Sequence, residues 1–267
     1  MKIIVAMVLV TTLGISARSQ STSNGQFTCV IQENNTYLEG LLRVAISRND
    51  EDCTRQILKA GVRPYGKYQN YEGSEPIRIA ALSGTAPGII DGLFNAGLNP
   101  KSDEVTQALF YAAAAGQSKA IERMLLAEVP VNAKSADGET ALSFAASSGN
   151  LDTVNLLLQR GADPNAKSKA GLTPLMAAGE TEPIILALIK RGARINDQDN
   201  IGRSALIFAI INSQAKKLEI LLENGADPNL RDFRGRTPVQ AAIEGKQSIA
   251  KQTIIDLLIR YGAVDKR

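Results

Sequence analysis

The chain has 267 residues, with 30 Lys and Arg against 27 Asp and Glu, two cysteines, no tryptophan and no histidine. The lack of histidine excludes Ser-His-Asp and Cys-His nucleophile systems and the commonest general base, and two cysteines cannot make a four-ligand zinc site. A formal charge of +3 is too small to mark a nucleic-acid binder.

At the start of the chain, Met1 and Lys2 precede an apolar run from Ile3 to Ile15, followed by Ser16, Ala17 and Ser19. This order of basic, apolar and small residues is that of a secretory signal. The run of 13 residues falls short of the roughly 20 that a membrane span needs. The expectation is a cleaved signal at 1–19, export to a bacterial periplasm and no stable membrane insertion. Without Lys2 and Arg18 the formal charge drops to +1, since no acidic residue lies in the first nineteen.

Residues 20–37 read as an extended leader carrying Cys29, with the folded domain following over 38–267. An oxidising compartment favours a Cys29–Cys53 disulfide tying the leader over the first helices. Closing that loop of 24 positions is worth about 3 kcal/mol in the chain-entropy account. Two unpaired core cysteines are the competing reading.

From residue 40 onward two markers alternate. A Thr-type helix start recurs at Gly40, Glu75, Gln107, Thr140, Thr173, Ser204 and Thr237. A Gly-type helix end recurs at Gly61, Gly97, Glu128, Gly161, Gly192, Gly225 and Gly262, giving seven units. Within one unit, Thr140 is placed as an N-cap and Gly149 as the end of a first short helix. Leu151, Val154, Leu157 and Leu158 then recur at the helical period, which predicts a second helix with one apolar stripe. Such a unit cannot bury its stripe alone and must stack on copies of itself. In the fifth unit Met176, Ala178 and Gly179 run into Glu180 and Thr181 two residues early, predicting a tight helix-to-helix turn and a local kink. A long closing helix is predicted from Lys251 to Tyr261 after an insertion around Lys246 to Ala250.

The stretches T-A-L-x-x-A-A-x-x-G (Thr140 to Gly149) and L-L-L-x-x-G-A-D-P-N (Leu156 to Asn165) resemble the ankyrin-repeat family. The resemblance implies an all-α solenoid of about seven helix-turn-helix units with projecting hairpin loops. It also implies a partner-binding surface made of hairpin tips and the last exposed residues of each first helix. Carried over residue by residue, the tips supply Lys134, Asp137 and Glu139, then Lys167 and Lys169, then Gln198, Asn200 and Arg203. The last tip supplies Arg231, Phe233, Arg234 and Arg236. On the helices the matching pairs are Ser147 with Ser148, Glu180 with Thr181, Ile211 with Asn212, and Glu244 with Gly245. Tyr111, Phe144 and Phe208 fall at one repeated place, and the resemblance makes that a packing position.

A second candidate surface is the loop RPYGKYQNYEGSE, where Tyr65, Tyr68 and Tyr71 offer contact area at low entropy cost. Packing on their own loop and leader is the alternative.

No phosphate-binding glycine motif is present, and acidic pairs such as Glu51 with Asp52 sit at helix starts, where the macrodipole accounts for them. The expected function is therefore non-catalytic binding of another protein, by a monomer with no cofactor, no metal and no nucleic acid. Exported ankyrin proteins are similar in layout to periplasmic immunity proteins, whose partner is a secreted toxin or a periplasmic enzyme, and to periplasmic proteins that protect in oxidative stress. An enzyme is the outside alternative.

Overall fold

A computed structural model describes residues 35–64, 76–84, 86–245 and 250–264. The expected signal at 1–19, Cys29, and Tyr65, Tyr68, Tyr71 and Glu75 lie outside them. Among the described residues the chain forms fourteen helices and no strand, and no helix is long and apolar enough to cross a membrane. They fall into seven antiparallel pairs: α1 Asn35–Ser47 with α2 Glu51–Lys59, α3 Pro76–Leu82 with α4 Pro87–Asn95, and α5 Asp103–Ala114 with α6 Ser118–Leu126. The remaining pairs are α7 Ala141–Ser147 with α8 Leu151–Gln159, α9 Pro174–Ala177 with α10 Glu182–Lys190, α11 Ala205–Ile211 with α12 Ala215–Glu223, and α13 Pro238–Glu244 with α14 Ala250–Arg260.

Both markers act as the sequence predicts in units four to seven. The hydroxyls of Thr140, Thr173, Ser204 and Thr237 accept the backbone N–H three residues on, at 3.2–3.4 Å, and all four caps are buried in the stack. Satisfying a helix start with a hydroxyl that water cannot reach lets the helix N-terminus pack against its neighbour. Each second helix ends in a left-handed residue. At Gly161 (φ 86) the Ala162 N–H reaches the Leu157 carbonyl at 3.0 Å, the wide bond of a Schellman cap. Glu128 adopts φ 66 in the same place and closes the same bonds without glycine's conformational freedom.

The start of unit three differs from expectation. Its first helix begins not at Gln107 but at Asp103, because Ser102 caps Val105 and is followed by Asp103 and Glu104, which suit a helix N-terminus. Unit one likewise begins at Asn35, ahead of Gly40. In unit three it is Phe110, not Tyr111, that stacks on Phe144, with centroids 5.3 Å apart. Tyr111 is exposed and has the Arg78 guanidinium over its ring.

First helices stack on first helices and second on second, so one continuous apolar core runs through the array. Val154, Leu157, Leu218 and Leu221 are fully buried along the expected stripe. A second buried row escaped the sequence reading. Eight residues before each closing residue stand Cys53, Ile89, Ala120, Thr153, Ile184, Lys217 and Ile254, all of them buried. Thr153 sits 2.9 Å from Ser118 of that unit, a hydroxyl pair inside the stack.

Lys217 is the exception in charge. It has no exposed surface, and its ammonium donates to the carbonyls of Met176, at 3.2 Å, and of Ala178. The first carbonyl belongs to α9, which covers only four residues, and the second to Ala178, which ends it, in keeping with the tight turn that the early Glu180 predicts. Burial pushes the Lys217 pKa down to about 8, opposed in part by the Glu180 charge. In the unfolded chain the amine returns to about 10.4. Between these values the unfolded chain holds a proton that the folded chain has released, so stability rises with pH. Urea unfolding of wild type against Lys217→Met should reveal a wild-type gain on the order of 2–3 kcal/mol from pH 8 to 10.5 that the variant lacks. Parallel curves for the two proteins would contradict that burial.

Candidate functional site

Four hairpins, at 132–140, 165–173, 196–204 and 229–237, project side by side ahead of units four to seven. Their bases are tied by asparagines. Asn132 donates to the Gly161 carbonyl at 3.2 Å and accepts the Asp163 N–H at 2.9 Å. Asn165, Asn196 and Asn229 repeat this bridge with Gly192 and Arg194, Gly225 and Asp227, and Gly262 and Val264. Asn99 stands in the same place for the preceding junction but accepts the N–H of Lys101 instead. The residue that would donate to it is Pro130, which has no N–H.

The tips are built on a second repeated position. Ser135 and Ser168 accept one backbone N–H through their hydroxyls, from Glu139 and Leu172 at 3.1 Å. Asp199 and Asp232 replace them and accept more. The Asp199 carboxylate takes the N–H groups of Ile201 and Arg203 and the Arg203 guanidinium at 2.7–2.8 Å. Asp232 does the same for Arg234 and Arg236. Burial would push the Asp232 carboxyl up, but the Arg236 N–H, its guanidinium and the Arg234 N–H together outweigh it and hold the group below the usual carboxylate range.

This construction divides the residues that the sequence assigns to partner binding. Lys134 donates to the Lys167 carbonyl at 3.0 Å, Lys167 to the Gln198 carbonyl at 2.9 Å, and Gln198 to the Arg231 carbonyl at 2.8 Å. The three are struts between successive hairpins. Arg231, at the last of these places, turns back to the Gly235 carbonyl of its own tip at 2.5 Å. Asn200 donates to the Lys169 carbonyl at 2.7 Å. Arg203 is spent on Asp199 and lies 4.4 Å over the Phe208 ring, and Arg236 joins Asp232 to Glu244. The guanidinium forks of Arg203 and Arg236 are thus occupied within the fold, and both side chains are only partly exposed.

Left over at the tips are Asp137, Lys169, Phe233 and Arg234, whose exposed side chains make no hydrogen bond or ion pair among the described residues. Glu139 is half-buried beside them. Phe233 is 69% exposed and Ile201, joined to it by the Phe233 N–H at 3.2 Å, is 52% exposed. Gly202 (φ 85) lies beneath the Phe233 ring, where any Cβ would collide with the Phe233 backbone and ring. The inner helices add Ile211 and Ile243, also about half exposed, the latter one residue ahead of the expected Glu244 with Gly245. Because Arg236 reaches from its tip to Glu244, tip and helix end face the same side. Units six and seven therefore present four exposed apolar side chains, and the last tip adds the guanidinium of Arg234, which pairs with no carboxylate among the described residues. Glu244 and Gly245 are exposed as expected, and Ile243 is exposed in addition, at the place where unit six carries the buried Ile210.

The carboxylate tips should matter more to folding than the hydroxyl tips. Asp232→Ala leaves two N–H groups unmet and the Arg236 guanidinium with Glu244 as its one carboxylate, and should cost about 2–4 kcal/mol, whereas Ser168→Ala should cost about 1 kcal/mol. Equal denaturation midpoints for the two variants would contradict that ranking.

A family profile described as Ankyrin repeats (3 copies) matches residues 77–168, 160–232 and 175–267. NF-kappa-B inhibitor alpha of Sus scrofa is 48% identical over 52 residues, covering 20% of this chain and 17% of that protein. The 2-5A-dependent ribonuclease of Mus musculus is 39% identical over 67 residues, 24% of this chain and 9% of that protein. An inactive serine/threonine-protein kinase of Bos taurus is 35% identical over 68 residues, 25% of this chain and 5% of that protein. The similarity thus spans less than a fifth of the length of each of these relatives.

Proposed function

The chain belongs to the ankyrin-repeat family, and on that premise we propose that it is a non-catalytic binding module whose partner docks on the hairpin tips and inner helices of units six and seven. The observation that carries this reading is the patch of Ile201, Phe233, Ile211 and Ile243 with Arg234 at its side. An exposed phenyl ring held rigidly over a glycine is an anchor that loses little entropy on burial, and an unpaired guanidinium offers a fork for a carboxylate. The partner surface is accordingly apolar at its centre and acidic at its margin. Among the relatives, one is by name an inhibitor, which supports neutralisation of a protein partner; two are named as a ribonuclease and an inactive kinase, so ankyrin units also accompany enzymes.

The apolar start of the chain supports export, and with it a periplasmic protein of the immunity or inhibitor type. Under the same reading Cys53, buried on α2, pairs with Cys29. Exported protein treated with a thiol reagent under native conditions should take up no label until it is denatured and reduced; prompt labelling of two thiols would remove the disulfide from the proposal.

Binding itself is tested with a partner captured from periplasm on immobilised protein. Phe233→Ala should weaken it by about 1–3 kcal/mol with the thermal midpoint unchanged. Arg234→Glu should slow association most at low salt. Unaltered affinity and salt dependence in both variants would move the site to Tyr65, Tyr68 and Tyr71.

A further inference from the structure

Unit five departs from its neighbours at one edge only. α9 has four residues where α7, α11 and α13 have seven, and the chain leaves the helix at Ala178 with ψ 137. In unit four the matching carbonyl, that of Ala145, accepts the N–H of Asn150 at 3.1 Å. Unit five has lost the residues that would close its helix in this way, and a short helix leaves its last carbonyls without partners. Lys217 supplies the donors from the next unit, bonding Met176 and Ala178. It stands in the buried row where other units carry Cys53, Ile89, Ala120, Thr153, Ile184 and Ile254.

The opposite edge of the same junction is tied through regular hairpin contacts. Asn165 bridges Gly192 and Arg194, Lys167 donates to Gln198, and Asn200 bonds the carbonyls of Ala170 and Lys169. These bonds need nothing from α9. One edge is thus held by several backbone ties; across the other, Lys217 bonds the carbonyls of Met176 and Ala178 over 41 and 39 residues of sequence, beside an exposed ion pair of Lys216 with Glu182 at 3.8 Å.

We infer that the junction of units five and six is a hinge with its axis along the hairpin edge, and that Lys217 is the pin that keeps its loop edge closed. Releasing the pin frees two carbonyls and an ammonium to water at once, so the cost of the lost bonds is offset by solvation of the charge. The arm that swings is α11 to α14, carrying Phe233, Arg234, Ile211 and Ile243 relative to the first five units. Hinges of this kind are small sets of element-terminal residues that absorb the backbone change, here Ala178 to Thr181.

The test is a pair of distance distributions by pulsed electron resonance, with nitroxides attached through a non-cysteine chemistry. One pair spans the loop edge at Ser148 and Asn212, the other the hairpin edge at Ala170 and Arg234, all four exposed. Lys217→Met should lengthen and broaden the loop-edge distribution and leave the hairpin-edge one as in wild type. Lys217→Gln, which keeps an N–H donor, should fall between. Lys217→Ile combined with insertion of Ala-Ser after Ala178, which restores the two residues that unit five lacks beside unit four, should return the wild-type width and keeps the question open to measurement if Lys217→Met fails to fold. A loop-edge distribution unchanged in the single variants, an equal broadening at both edges, or no recovery in the rebuilt variant would overturn the hinge.

Discussion

Wherever a helix pair of this stack ends, two backbone groups are left over: the carbonyl of the closing glycine and the N–H two residues on. An asparagine side chain carries an acceptor and a donor on one carbon and satisfies both, and Asn132, Asn165, Asn196 and Asn229 each do so from the preceding hairpin base. Everything functional rests on this bridge, because it fixes the pitch at which the hairpins stand beside one another. Where Pro130 removes the N–H, the bridge stops. On the N-terminal side of that point, neighbouring second helices are joined by ion pairs such as Arg123 with Asp91, and the next junction adds Arg160 with Glu122 at 2.7 Å. The regular comb of tips accordingly begins only at residue 132.

The departures from regularity share one logic: a lost backbone partner is replaced by a side chain from the adjoining unit or the adjoining turn. Asp199 and Asp232 take on the turns that Ser135 and Ser168 hold with a single hydroxyl bond, and in doing so they recruit Arg203 and Arg236. Lys217 stands in for a missing half-turn of helix. In each case the substitute is charged where the original was neutral, so the repairs leave the buried and half-buried parts of units five to seven richer in ions than unit four. Charge at these places reflects hydrogen bonding to backbone, and among the described tip residues the guanidinium of Arg234 has no such task.

Much of the fold was legible because it depends on features that recur in the letters themselves. A cap needs a hydroxyl, a left-handed turn prefers glycine, and a buried stripe needs apolar residues at the helical period; Thr140, Gly161 and Leu157 each show this directly. Ser102 is equally readable, since Ser-Asp-Glu is a helix start, but Gln107 and not Ser102 falls at the repeat spacing of the threonine-type marker. The division of the tip residues was not readable. Lys134, Lys167 and Gln198 share no chemistry beyond a long side chain ending in N–H donors, and their common role is a bond to a carbonyl some 31 to 33 residues away. Such a bond leaves no period in the sequence. Lys217 was hidden for a related reason: in a polar helix face a lysine reads as solvated, and only the loss of a turn three helices earlier gives it something buried to hold.

That coupling has a consequence for how such an array can be rebuilt by recombination. Units four and seven could be copied or exchanged singly, since each brings its own cap, glycine and asparagine. Unit five cannot. Transplanted alone, it would present bare carbonyls to an apolar neighbour; and unit six, placed behind a full-length unit, would press an ammonium into a helix with no acceptor to spare. The two travel as a pair, and the smallest exchangeable module at this point in the chain is a double repeat.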